Sequence, residues 1–314
     1  MKGDVVHAQW WSYILAPIYG TILAIAKLRG KRTVLTLHNV DPHERAWWKK
    51  ALHRAIFFLG DRFIVHSESN KGALQRIYGR SAHVVSVISH GILKLAPLQG
   101  LSASAAKGSL GIPTESKTVL FFGNIRPYKG VEALLRSFPE VLAACTSTTL
   151  VVAGKPWSDW QPPDRLIDDL GVRSNVYLFL DFVPATKVEE FFAAADLVVL
   201  PYTRFDAQSG VGALALSFGR PLIVTDVGGL PDLVKDPRAV VPPGNPRALA
   251  EAIIRVLSDD SLRRKLEIDA EEVAARFSWG PIASRTADVY RTLVSGEGTS
   301  ARGEHRGGSQ CRGA

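Results

Sequence analysis

Residues 119–130 read Val119-Leu120-Phe121-Phe122-Gly123-Asn124-Ile125-Arg126-Pro127-Tyr128-Lys129-Gly130. Four consecutive apolar residues predict a strand buried on both faces, and the segment Val131 to Ala143 that follows predicts a helix. The join is a glycine-containing turn that carries two cations. Strand, turn and helix in this order form the unit from which parallel α/β sheets are built. Glycine lets a ligand approach the backbone closely, and a helix N-terminus offers free N–H groups to an anion. Arg126 and Lys129 add positive charge within one turn of that point, so the arrangement suits a diphosphate, above all one gaining negative charge as it departs. On these residues alone, a solvated basic loop capping a helix is the alternative.

The unit repeats in both directions along the chain. Towards the C-terminus, Thr149-Leu150-Val151-Val152, Val176-Tyr177-Leu178-Phe179, Leu197-Val198-Val199-Leu200 and Leu222-Ile223-Val224 predict strands, with a helix at Lys187 to Ala195 and closing helices at Arg247 to Leu257 and Ser261 to Arg276. Towards the N-terminus, Val5-Val6-His7, Thr33 to Leu37, Arg62 to Val65 and Val84 to Ile88 read as strands. Helices at Trp11 to Leu28, Glu44 to Leu59 and Ser69 to Tyr78 separate them. This is β/α alternation, hence parallel sheets. Periodicity fades between Leu93 and Lys117, which reads as an interdomain connection. From Ser295 the Gly/Ser/Arg-rich tail predicts disorder.

Two α/β domains fit the 314 residues, and 46% hydrophobic with 22% charged residues describe a globular chain. Mean hydropathy is +0.06. The run Tyr13 to Leu28 contains Pro17 and is too short for a roughly 30 Å hydrocarbon core, so it reads as a buried crossover helix. No secretory signal follows it, and the cytoplasm is the expected compartment. Cys145 and Cys311 belong to no Cys/His cluster, so no metal site is expected. A formal net charge of +8 favours anionic partners, but no nucleic-acid-binding motif accompanies it.

A second glycine turn, Gln208-Ser209-Gly210-Val211-Gly212, opens a helix running to Phe218 and offers another set of N–H donors at the same sheet edge. The alternative is that its small residues only permit tight helix–sheet packing. Thr225-Asp226-Val227-Gly228-Gly229-Leu230-Pro231 is a third such loop. None is the GxGxxG fingerprint of dinucleotide sites or the GxxxxGK[ST] P-loop.

Taken together, FFGNIRPYKG (121–130), QSGVGALALSFGRP (208–221), TDVGGLPDLV (225–234) and VPPGNPRALAEAI (241–253) resemble the C-terminal domain of GT-B glycosyltransferases of family four. DVVHAQWW (4–11), LTLHNVDPHE (35–44) and IVHSESNKGAL (64–74) resemble that family's N-terminal domain. The likeness spans nearly all of residues 4–294. It implies a GT-B-like α/β fold, two Rossmann-like doubly wound domains facing a cleft. It also implies retaining transfer of a hexosyl group from a nucleotide-diphosphate sugar to a glycan or lipid-linked acceptor, in exopolysaccharide or glycoconjugate assembly. The resemblance implies that the transfer needs no cofactor and no obligatory metal.

Within that resemblance the catalytic group comprises Arg126 and Lys129, on the leaving diphosphate, and His38, beside the sugar. Gly123, Ser209, Gly210 and Val211 hold the donor from its phosphate side, and Asp181, Phe182 and Val183 receive the base. His7 carries a weaker match, and His90 reads as a hinge residue. Asp206 and Leu214 occupy the positions where the family has a pair of glutamates, and Leu214 cannot accept hydrogen bonds from ribose. Asn124 takes the place of an arginine, with Arg126 two positions on. The expected domains are 1–92, acceptor-side and incomplete; 93–117, connection; 118–276, nucleotide-sugar-binding; and 277–294, a helix returning to the first domain. The first strand resembles the family's fourth, so three strands and a glycine-rich loop are expected to be missing. A non-catalytic sugar-nucleotide-binding remnant and a GT-B-fold nucleotide-sugar epimerase are the other functions the sequence allows. In residues 45–58, helical spacing gathers Trp48, Leu52 and Ala55 on one side, while Arg45, Lys49, Lys50 and Arg54 supply charge. That pattern fits either a peripheral anionic membrane surface, at the inner face of the membrane, or a core helix with a solvated side.

Overall fold

The computed structural model of the chain describes residues 3–38, 40, 47–89, 91, 101–157, 164–205 and 209–295. They group into two units, residues 3–88 with 283–295, and the described part of 89–282.

The first unit is a parallel sheet in the order β1-β2-β3-β4, made of β1 (Val5–Trp10), β2 (Arg32–Leu37), β3 (Arg62–Val65) and β4 (Val85–Val87). Connecting them are α1 (Ala16–Leu28), α2 (Trp47–Phe58) and α3 (Glu68–Tyr78). Local sequence sets the bounds of α3: the Ser67 hydroxyl accepts from the Asn70 N–H at its start, and Gly79 ends it in the left-handed region. Trp10, Leu23, Leu35, Leu37, Phe57, Phe63 and Leu74 are buried and form the core, with Trp10 and Phe57 meeting edge to face. Between α1 and β3, the Asp61 carboxylate accepts from the Thr33 N–H at 2.8 Å and pairs with Lys27 at 2.5 Å.

The helix α1 departs from the sequence reading. It buries Ala16, Leu23 and Ala26, but leaves Ile18, Ile22, Ile25 and Leu28 exposed, and Ile14 in the preceding 3-10 turn is exposed as well. Apolar content alone does not tell a helix buried all round from one buried on a single side. Likewise α2 buries His53, Ile56 and Phe57 and turns Trp48, Leu52, Arg54 and Ala55 outward. Among the described residues no helix is long and apolar enough to cross a membrane.

The second unit holds a six-stranded parallel sheet in the order β10-β9-β8-β5-β6-β7. Its strands are β5 (Lys117–Phe122), β6 (Thr148–Ala153), β7 (Val176–Phe179), β8 (Leu197–Leu200), β9 (Leu222–Thr225) and β10 (Val240–Val241). Two residues carry no period, which is why the sequence gives no sign of β10. The helices are α4 (Ala103–Ser109), α5 (Val131–Ala144), α6 (Asp164–Asp169), α7 (Ala185–Ala194), α8 (Gly210–Ser217), α9 (Pro246–Ser258), α10 (Asp260–Arg276) and α11 (Trp279–Ser295).

Within 93–117, read as connection, α4 is a folded element. Ala106 packs with Ala193 and Ala194 of α7, and the buried Lys107 ammonium donates to the Ser116 carbonyl at 2.6 Å and to Asp196 at 3.0 Å. Small side chains gave α4 too weak an apolar period to show. At the other end, α11 passes from one unit to the other: residues from 283 group with β1–β4, where the Tyr290 hydroxyl lies 2.5 Å from His7 Nδ1 and Arg285 donates to the Val87 carbonyl.

Strand order in the second unit reverses between β5 and β8, because β5 leads outward to β6 while β8 leads the opposite way to β9. Ligands of such sheets sit beyond the carboxyl ends of the strands at this reversal. The loops after β5 and β8 meet there.

Candidate active site

Gly123 leaves β5 with φ of +102°, a conformation that L side chains rarely adopt, and a Cβ at this position would lie 2.8 Å from Val211 Cγ2. The loop after β5 is thus pressed against the start of α8. Gly130, with φ of +72°, ends the same loop, and a Cβ there would fall 1.9 Å from the Pro201 carbonyl oxygen. Thr203 N–H closes the contact by donating to the Tyr128 carbonyl at 2.7 Å.

These backbone contacts position a chain of polar side chains. Lys129 Nζ lies 4.5 Å from the centre of the Tyr202 ring and donates to its hydroxyl at 2.9 Å. The Tyr202 hydroxyl is 3.3 Å from Ser209 Oγ, which accepts the Gly212 N–H at 3.2 Å and so caps α8. Burial pushes the Tyr202 hydroxyl up to about 12, so it stays neutral. Burial also holds the Lys129 ammonium below the usual lysine range; the nearby Arg126 charge acts in the same direction, against an opposing effect of Tyr128. A half-buried cation with one hydroxyl partner is thereby placed beside a helix N-terminus. An anion at that point would restore the favourable environment that burial removes from the lysine.

Of the residues singled out in the sequence, Gly123, Lys129, Ser209 and Val211 come together around Tyr202. Gly210 opens α8 next to them. Arg126 stands on the same loop with its guanidinium 4.0 Å from the centre of the Trp157 ring, which the loop after β6 supplies. Asp181, Phe182 and Val183 follow β7 at the sheet edge, two strands from β5, and Phe182 is 73% exposed. Leu214 is half-buried against the core of the unit. Asp206 and Gln208 lie outside the described residues, as do His90 and Arg45. Tyr202 and Trp157 were missed: an aromatic residue just past a strand reads as core until its partner is known.

His38 belongs to the first unit, at the end of β2. Its ring stacks on Trp11 with centroids 3.5 Å apart. Its Nε2 is 2.9 Å from the Gln9 side-chain oxygen, and its Nδ1 is 3.2 Å from His66 Nε2. Nearby, His7 bridges Tyr290 and Thr36, and burial lowers its pKa, which keeps it neutral. Among the described residues no group of three or more His, Cys, Asp or Glu side chains is placed to hold a metal ion.

Residues 116–259 match the family description "Glycosyl transferases group 1", and residues 2–92 match "Glycosyltransferase Family 4". A D-inositol 3-phosphate glycosyltransferase of Streptomyces bingchenggensis is 31% identical over 316 residues, 93% of this chain and 67% of the relative. Another, from Catenulispora acidiphila, is 31% identical over 315 residues, 93% of this chain and 71% of the relative. The chain belongs to the GT-B glycosyltransferases of family 4. Among solved structures, HepE of Anabaena in complex with UDP superposes with a TM-score of 0.78 at 20% identity, covering 92% of this chain and 79% of HepE. Sucrose-phosphate synthase of Thermosynechococcus elongatus gives 0.73 at 21% identity, covering 93% and 74%. In this glycosyltransferase the cap on α8 is open to direct test. Ser209→Ala removes the hydroxyl that serves both Gly212 and Tyr202, and the expected cost is about 1 kcal/mol of unfolding free energy in a urea titration, with Ser209→Asn retaining most of it. An unchanged midpoint in Ser209→Ala would discard the cap as a contributor to stability.

Proposed function

We infer that this glycosyltransferase moves a hexosyl group, with retention of anomeric configuration, from a nucleotide-diphosphate sugar to a hydroxyl of a glycan or lipid-linked acceptor. The observation that carries the reading is the Lys129–Tyr202–Ser209 chain at the strand-order reversal, a half-buried cation beside a helix N-terminus. As the anomeric C–O bond to the diphosphate breaks, negative charge collects on the leaving oxygens. Lys129, Arg126 and the N–H groups of Gly210 and Val211 are the donors that stabilise it, with the most benefit where charge is greatest. Asp181, Phe182 and Val183 take the base, Asp206 belongs to the donor-binding group, and His38 lies beside the sugar. UDP is the first nucleoside diphosphate to test, since HepE binds it, and the names of the curated relatives make inositol 3-phosphate a candidate acceptor. A net charge of +8 suits an anionic acceptor. A lipid-linked acceptor would bring the protein to a membrane. The outward side of α2, Trp48, Leu52 and Ala55 with Arg54, is the surface proposed for anionic lipid there.

The experiment is calorimetry of the chain with UDP, followed by incubation with UDP-sugars and acceptor and assignment of the product's anomeric centre by NMR. Binding followed by a product of retained configuration supports the reading. Absence of nucleoside diphosphate binding, or inversion, overturns it. Binding without turnover identifies a remnant, and interconversion of the free sugar nucleotide identifies an epimerase.

A further inference from the structure

At the end of β2 in the first unit, two histidine rings lie in series. His66 Nδ1 is 2.8 Å from the Ile88 carbonyl oxygen, and His66 Nε2 is 3.2 Å from His38 Nδ1. A carbonyl oxygen only accepts, so His66 Nδ1 carries a proton. In the neutral ring that leaves His66 Nε2 as an acceptor, and the facing nitrogen, His38 Nδ1, must be the donor. His38 Nε2 is then left with its lone pair.

We propose that His66 is a positioning residue which, anchored on the Ile88 carbonyl, holds His38 in the Nδ1–H tautomer and keeps Nε2 unprotonated as a hydrogen-bond acceptor. The remaining partners accommodate this state. His38 Nε2 is 2.9 Å from the Gln9 amide, whose oxygen and nitrogen are assigned by hydrogen bonding alone. With the amide nitrogen on that side, Gln9 donates to His38 Nε2 and turns its oxygen to His7 Nε2, 3.5 Å away across the amide. His7 Nε2 then donates, to Gln9 or to Thr36 Oγ1 at 2.7 Å, and His7 Nδ1 accepts from the Tyr290 hydroxyl at 2.5 Å. Across these six contacts each donor meets an acceptor with all three imidazoles neutral. The opposite amide orientation needs one more proton on the pair: either His38 is protonated and donates from both nitrogens, or His66 is protonated and donates to a neutral, Nε2–H His38. The Gln9 amide orientation therefore reports the charge of the His38–His66 pair. The stacked Trp11 ring holds the His38 plane in the orientation that both hydrogen bonds need. The logic matches that of a carboxylate orienting a catalytic imidazole, with a backbone-anchored histidine in the carboxylate's place.

The tautomer assignment is argued from these hydrogen bonds and does not depend on the proposed activity. Its use rests on the proposed placement of His38 beside the donor sugar, where an unprotonated Nε2 would accept from a sugar hydroxyl and a protonated one would not.

The test is long-range proton–nitrogen NMR of the histidine rings of the full chain, at alkaline pH where imidazoles are neutral. In the unsubstituted protein the His38 signals are expected to show the Nδ1–H form. His66→Ala should shift His38 to the Nε2–H form, the one favoured by an imidazole without partners. His66→Gln, which keeps an acceptor oxygen within reach, should retain Nδ1–H. A predominantly Nε2–H His38 in the unsubstituted protein overturns the proposal. So does an unchanged His38 tautomer in His66→Ala with a native-like amide spectrum; should that variant not fold, the unsubstituted protein and His66→Gln decide alone. Failure of the transferase reading would show in the UDP titration and leave this result intact.

Discussion

Replacing Arg126 and Lys129 together by alanine is expected to lower the affinity for UDP by about a hundredfold or more while the second unit keeps its fold. A charge-assisted hydrogen bond to a diphosphate contributes about 1.5–3 kcal/mol, and about 1.4 kcal/mol is a factor of ten. Two such contacts give about 3–6 kcal/mol if they act independently. The lysine carries a pH signature as well. Burial lowers its pKa, so the ammonium gives up its proton at lower pH than an ordinary lysine, and only the protonated form attracts the diphosphate. Affinity is therefore full below that lowered pKa and falls as pH rises through it. Lys129→Arg keeps its charge throughout and should flatten the profile. Calorimetry across the alkaline range checks both statements. Equal affinity in the double variant removes the diphosphate site, and a flat profile in the unsubstituted protein removes Lys129 from it.

The chemistry of this loop was legible in the sequence because its residues are contiguous. Gly123, Arg126 and Lys129 fall within seven positions, and their neighbours form a strand and a helix by pattern alone. What was not legible is the partner of each charge. Lys129 meets Tyr202, 73 positions away, because β8 lies beside β5 in the sheet. Periodicity identifies strands without giving their order, so a tyrosine after β8 could not be assigned to a lysine after β5. Trp157 under Arg126 and His66 behind His38 were hidden for the same reason: β6 and β3 are sheet neighbours that only the topology supplies. Nine strands stood out as apolar runs, whereas β10 was too short and α4 too poor in large side chains to leave a pattern. The outer side of α1 went unnoticed because an isoleucine facing solvent and one facing a core read alike.

That outer side, together with the edge of β1, leads to the expectation that the purified chain self-associates. Among the described residues β1 pairs with β2 alone, so the hydrogen-bonding groups along its other edge have no strand beside them. Its sequence, VVHAQW, contains no charge and no proline, the devices by which exposed edges avoid pairing. In the same unit Ile14, Ile18, Ile22 and Ile25 recur at intervals of four, four and three and are 71%, 60%, 36% and 40% exposed, one apolar side of a helix turned to solvent. A lipid surface would cover the isoleucines but offers nothing to backbone N–H and C=O groups, whereas another polypeptide satisfies both. Burying a half-exposed isoleucine contributes about 1 kcal/mol, half of the amount for full burial. Ile18→Glu with Ile22→Glu should then weaken association by about 2 kcal/mol, some thirtyfold in the association constant. Both positions face solvent, so unfolding midpoints should hardly move. Sedimentation velocity over a concentration series measures the effect. A chain that stays monomeric at about 100 μM, in the range where exposed apolar surface and strand edges ordinarily associate, would show that the β1 edge and the α1 isoleucines are covered from within the molecule.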